Sequence, residues 1–115
     1  SKETSSKSND EDDKSADIIV TAEKYYSDYQ ANEVSADNKY KGKTIQITGV
    51  VTEIGKSWTI YIKLSGDDFL GEVKCNLEKN ESNKASDISK GQEITLIGKG
   101  NGKGFFPELD ECVIK

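Results

Sequence analysis

The sequence contains no histidine, no arginine and no methionine, and only one proline, one tryptophan and two cysteines in 115 residues. Each absence removes a chemistry. Without histidine the chain lacks the commonest general base and the commonest metal ligand, and Ser-His-Asp or Cys-His catalysis has no base to run on. Without arginine there is no bidentate fork for phosphate or guanine. All sixteen cationic side chains are lysines. No catalytic residue is assigned, and an enzyme is not expected.

Apolar residues are also scarce, at 33%, and the deficit is uneven. Ser1 to Ser15 contains none, so that segment has nothing to bury against its own ordering entropy. Residues 1–16 therefore read as a disordered polar and acidic tether, and residues 17–115 as one domain with a modest core. A tract of this composition has a natural place after a cleaved signal peptide, where bacterial lipoproteins carry a lipidated cysteine. The chain also starts without methionine, as a processed product or fragment does. The expectation is an extracytoplasmic bacterial protein, held to the cell membrane only by an inferred N-terminal lipid anchor. The alternative is an arbitrary boundary within a cytosolic protein.

Net charge is −5. Setting aside Glu3, Asp10, Glu11, Asp12 and Asp13 against Lys2, Lys7 and Lys14 leaves 16 acidic and 13 basic side chains in the domain. That balance argues against nucleic acid and anionic lipid, which are bound mainly by neutralising phosphates.

Ile18-Ile19-Val20 reads as extended, and Thr21 as the N-cap of a helix from Ala22 to about Gln30. Ala22, Tyr25, Tyr26 and Tyr29 share one side of that helix; they form its apolar face, with hydroxyls expected to reach water. Asn32 to Tyr40 reads as a second short helical turn ended by Gly42.

Five strands follow. The first, Thr44 to Ile54, turns Ile45, Ile47, Gly49 and Val51 inward and then changes phase, which together with Gly49 predicts a bulge. A hairpin through Gly55-Lys56-Ser57, expected to tolerate change, leads to the second strand. There Trp58, Ile60, Ile62 and Leu64 face the core, opposite Thr59, Tyr61, Lys63 and Ser65. The third turns Val73, Cys75 and Leu77 inward. Glu78 to Ser89 suits a short helix. The fourth strand contributes Ile94 and Leu96, the glycine-rich stretch Gly98 to Gly104 reads as a flexible turn, and the fifth strand ends at Ile114. An N-terminal helix, three strands, a short helix and two more strands is the order of an all-β, five-stranded Greek-key barrel of the oligonucleotide/oligosaccharide-binding (OB) fold.

The segments Asn32 to Val51, Val73 to Leu77, Lys90 to Gly100 and Leu109 to Ile114 resemble the tRNA_anti-like family, OB-fold domains found largely in bacterial lipoproteins and other exported proteins. The resemblance implies this fold and an exported setting. It brings no catalytic motif, and fold does not by itself fix function.

No cofactor is expected. Lys103-Gly104 leaves glycine where a phosphate-binding loop needs Ser or Thr, and Asp67-Asp68 and Asp110-Glu111 lack the spacing of a calcium loop, so no metal site is assigned. The ligand-face candidates are Tyr61, Lys63 and Lys74 on the second and third strands, with Lys99 and Lys103 beside Phe105-Phe106. One exposed tyrosine is a thin stacking platform. A protein, peptide or glycan ligand is favoured for a monomeric binding module, with single-stranded nucleic acid as the alternative. Cys75 and Cys112 point inward on strands that neighbour each other in an OB barrel, and a disulfide between them is expected. The alternative is a pair of reduced core thiols.

Overall fold

The structure, a computed structural model, describes residues 15–115. Most of the tether, with its expected mobility, lies outside those residues. The chain opens with β1 (Ile18–Thr21), α1 (Ala22–Ala31) and α2 (Glu33–Tyr40). It continues through β2 (Thr44–Lys56), β3 (Ile60–Ser65), β4 (Glu72–Leu77), a 3-10 turn (Lys79–Glu81) and α3 (Ser82–Ala85), then β5 (Glu93–Lys103) and β6 (Pro107–Ile114). The sheet order is β1-β2-β3-β4-β6-β5, and β2 also pairs with β5. Strands β2 to β6 thus close into the five-stranded OB barrel, with β1 added in parallel to β2.

Closure depends on how β2 is shared. Thr44 to Val50 pairs with β5, Val51 to Lys56 pairs with β3, and the register slips between Val51 and Glu53. The bulge is therefore at Thr52, three residues beyond Gly49. Gly49 serves a different need. A Cβ there would lie 2.8 Å from Cβ of Ala22 and 3.2 Å from Cβ of Leu64, so glycine is what lets α1 seat on the bend.

Both helices begin as their sequences dictate. The Thr21 hydroxyl accepts from the Lys24 N–H at 3.1 Å, and Asn32 Oδ1 accepts from the Ser35 N–H at 3.0 Å. Tyr25, Tyr29 and Tyr40 then cluster, with ring centroids 4.7 to 6.2 Å apart. Their hydroxyls do not all reach water as expected. Tyr25 donates to the Glu108 carbonyl at 3.0 Å, Tyr29 to Asp37 at 2.8 Å and Tyr40 to Asp28. Burial raises the pKa of all three phenols, so they remain neutral donors that tie α1 to α2 and to β6.

The barrel interior is filled by alternating residues of the strands, among them Ile45, Ile47, Val51, Ile62, Leu64, Val73, Leu96 and Leu109. Three expectations need correction. Trp58 is not in the core but wholly exposed, because β2 runs on to Lys56 and the hairpin tip falls at residues 57–59, ahead of β3. Gly55 accordingly lies within a strand, where a Cβ would collide with the Tyr61 ring; it is not a tolerant turn position. The stretch from Gly98 to Lys103 is not a flexible turn either but belongs to β5. Its glycines make room: a Cβ at Gly98 would strike Cys112 Sγ, and one at Gly100 would strike the Tyr40 carbonyl.

The structure does not bridge the expected Cys75–Cys112 pair, and both residues are buried. Glu111 adopts φ of 54°, and this kink turns both Leu109 and Cys112 inward although they are three residues apart. Cys75 is then opposite Leu109, whereas Cys112 is opposite Leu77. Two rungs of ~3.3 Å and one strand spacing of ~4.8 Å put the Cα atoms roughly 8 Å apart, beyond the reach of a bridge.

Two measurements check this account. Gly49→Val is expected to destabilise by about 1–3 kcal/mol through overpacking against α1; an unchanged denaturation midpoint would contradict the close approach. Unfolded without reductant, the protein is expected to react with a thiol reagent at both cysteines, whereas no reaction would restore the bridge.

Candidate ligand-binding face

The outer face of β3 and β4 is built by strand alternation. Side chains at 61, 63, 74 and 76 point away from the core formed by Ile62, Leu64, Val73, Cys75 and Leu77. Register places Lys63 opposite Lys74 and Tyr61 opposite Asn76. Two lysines directly opposed on one face repel, and neighbouring groups relieve the repulsion. The Lys63 ammonium lies 3.3 Å from Glu53 and 3.8 Å from Glu72, and 4.4 Å from the centroid of the Phe106 ring. The Lys74 ammonium lies 4.9 Å from the centroid of Tyr61.

Tyr61 lies across the hairpin against Gly55 and donates its hydroxyl to Glu53 at 2.7 Å. That hydrogen bond, followed by the one from Lys63, holds the Glu53 carboxyl below its usual range. The same bond to Glu53 raises the Tyr61 phenol. Glu72 accepts from Thr52 at 2.6 Å. On the β6 side, Asn76 Nδ2 donates to Glu108 at 3.2 Å and to Asp110 at 2.8 Å. The face is therefore a lattice in which Lys63 and Lys74 stand among Glu53, Glu72, Glu108 and Asp110.

Beside it, the β3–β4 and β5–β6 turns approach each other over α1 and leave a cleft of about 390 Å³, lined by Tyr26, Leu70, Glu72, Lys103, Phe105 and Phe106. Phe69, Leu70 and Phe105 are each nearly nine-tenths exposed or more. Trp58 stands at the opposite end of β3 from these three, at the hairpin tip.

Of the candidates, Tyr61, Lys63 and Lys74 come together as the alternation predicts. Lys103 borders the cleft with Phe105 and Phe106. Lys99 lies farther round the barrel on β5, where it pairs with Thr44 and with Asp110, the carboxylate that Asn76 meets. Sequence reasoning missed the contributions of Glu53 and Asn76 and the exposure of Trp58. The phase change after Val51 was the available signal for Glu53. Among the described residues, no group of three or more His, Cys, Asp or Glu side chains is arranged to hold a metal ion.

The tRNA_anti-like family model matches residues 1–110. Among solved structures, the fold is similar to a proposed nucleic acid-binding lipoprotein from Klebsiella pneumoniae subsp. pneumoniae, with a TM-score of 0.69 and 17% identity over 84% of this chain and 90% of that one. It is also similar to an OBody bound to hen egg-white lysozyme, with a TM-score of 0.54 and 16% identity over 66% of this chain and 84% of the other. At these identities the likeness is one of fold. No curated protein matches the sequence.

The Tyr61–Glu53 bond has a direct readout. Followed through its own Cζ resonance, Tyr61 is expected to lose its proton above the ordinary tyrosine value of about 10, and Glu53→Gln to bring the midpoint down. A midpoint unmoved by that substitution would show that the bond is not made in solution.

Proposed function

Because this chain belongs to the tRNA_anti-like family, we propose that it is a non-catalytic OB-fold binding module. Its ligand lies across the outer face of β3 and β4 and the adjoining β5–β6 turn. The observation that carries the reading is the pairing of accessible rings with a self-neutralised polar lattice. Tyr61, Phe105 and Phe106 supply flat apolar surface, while Lys63 and Lys74 are outnumbered by the four carboxylates around them. Such a face suits a ligand that stacks but carries little negative charge.

The module is exported and tethered to a bacterial membrane through the polar segment that precedes β1. The composition of residues 1–16 supports this reading, as does the similar fold of the Klebsiella lipoprotein. Among the described residues no helix is long and apolar enough to cross a membrane.

Single-stranded nucleic acid is the second reading. It is favoured by the rings near Lys63 and Lys74, since bases stack on aromatic side chains with little regard to sequence. Charge weighs against it. Affinity for a polyanion comes largely from counterions released by cationic contacts, and here Lys63 is already engaged by Glu53 and Glu72.

Fluorescence anisotropy with a labelled single-stranded 20-mer tests the choice. Dissociation constants weaker than about 10⁻⁵ M are expected at physiological salt. Sub-micromolar binding with a steep salt dependence, abolished by Tyr61→Ala and Lys74→Ala, would establish the nucleic-acid reading instead.

A further inference from the structure

We infer that the β3–β4 and β5–β6 turns form a self-association surface, and that its partner is a second copy of this chain.

Exposed apolar side chains collect on these two turns. Phe69 and Leu70 on the first are 88% and 89% exposed, and Phe105 on the second is 95% exposed. The β3–β4 turn is closed from within. Asp67 Oδ1 accepts from the N–H of Phe69 at 2.8 Å and from that of Gly71 at 2.9 Å, and the Gly66 N–H donates to the Gly71 carbonyl at 2.7 Å. The turn is thus held by its own hydrogen bonds while Phe69 and Leu70 face outward, so seating them on a partner loses little loop freedom. Contiguous apolar surface of this kind marks an interaction site.

The shape fits itself. An isologous pair needs a projection and its receptor on the same patch. Phe69 projects, and its chain neighbour Leu70 already lines the cleft of about 390 Å³ with Tyr26, Phe105 and Phe106. An apolar cavity of about 150 Å³ accommodates benzene, so the cleft has room for the Phe69 ring of a second copy. Charge fits in the same way. Asp68 precedes the projecting ring, and Lys103 stands on the opposite turn at the rim of the cleft. As each Phe69 enters the other copy's cleft, each Asp68 is carried towards the partner's Lys103. Among the described residues, neither Asp68 nor Lys103 is in an ion pair within its own chain.

The area is sufficient for a weak pair. At roughly 150–250 Å² for each phenylalanine, Phe69, Leu70 and Phe105 give about 500 Å² of apolar surface per copy and about 1,000 Å² per pair, the lower limit for a specific interface. Other occupants fit less well. Residues 1–15 carry no apolar side chain to lay in the cleft, and Asp67, Asp68 and Glu72 beside it oppose an anionic bilayer. Tyr61, Lys63 and Lys74 do not line the cleft. Pairing takes Phe105 from the proposed ligand face and leaves those three open on both copies.

Sedimentation velocity of the full chain over a concentration series tests the inference. The average sedimentation coefficient is expected to rise with concentration, and Phe69→Ser to hold it at the monomer value. Asp68→Lys and Lys103→Glu are each expected to weaken pairing about fivefold or more, because like charges then meet twice across the two-fold axis. An equimolar mixture of those two variants is expected to restore it. All three positions are exposed, and the amide spectrum of each variant reports its fold. A single monomeric species up to about 1 mM overturns the inference. So does pairing that survives Phe69→Ser, or that the mixture fails to restore, since a different contact then carries it. Flotation with phosphatidylglycerol vesicles, lost in Phe69→Ser while the chain stays monomeric, assigns the two turns to a bilayer and also overturns it.

Discussion

One strand, β2, has to serve two partners, and the barrel follows from how it bends. Its first half is held by β5 and its second by β3. A straight strand cannot lie beside both, so the chain spends an extra residue at Thr52, where the ladder slips and the local twist increases. Gly49 lets Ala22 approach within the radius of a missing side chain, which seats α1 on the bend. From that seat Tyr25 reaches β6, and Tyr29 and Tyr40 bind α2 to the same cluster. Helix, bend and barrel closure are one mechanical unit, and a side chain at position 49 disturbs all three.

The same bend shapes the outer face of β3 and β4. By shifting the phase of β2 after Val51, the bulge brings Glu53 within reach of Tyr61 and Lys63. The two opposed lysines of β3 and β4 would otherwise form a positive stripe suited to phosphate. With Glu53 and Glu72 drawn in, the stripe becomes a neutralised network in which ring and carboxylate orient each other. The charge balance of that outer face thus depends on a one-residue slip on the neighbouring strand.

Glycine plays a packing role more than a flexible one. Gly55, Gly98 and Gly100 sit inside strands, where a side chain would strike Tyr61, Cys112 and Tyr40 respectively. A glycine-rich string between charged residues has the composition of a loop, yet in β5 its glycines are the positions at which other parts of the molecule come closest.

The sequence alone determined the order of elements, the cap of α1, the inward set of β3 and β4 and the exclusion of histidine- or arginine-based chemistry. All of these follow from local pattern: a β-branched run, a capping threonine, a period of two, a missing residue type. Tyr61, Lys63 and Lys74 were legible for the same reason, since alternation assigns each residue of a regular strand to a face. Only tertiary structure decided the rest. It set where the β2–β3 hairpin turns and so left Trp58 exposed. It kinked β6 at Glu111 and moved Cys112 two rungs from Cys75, and it placed Lys99 on β5, farther round the barrel from Lys63. These outcomes depend on register, and register is set by contacts between strands far apart in the chain, which no local pattern encodes.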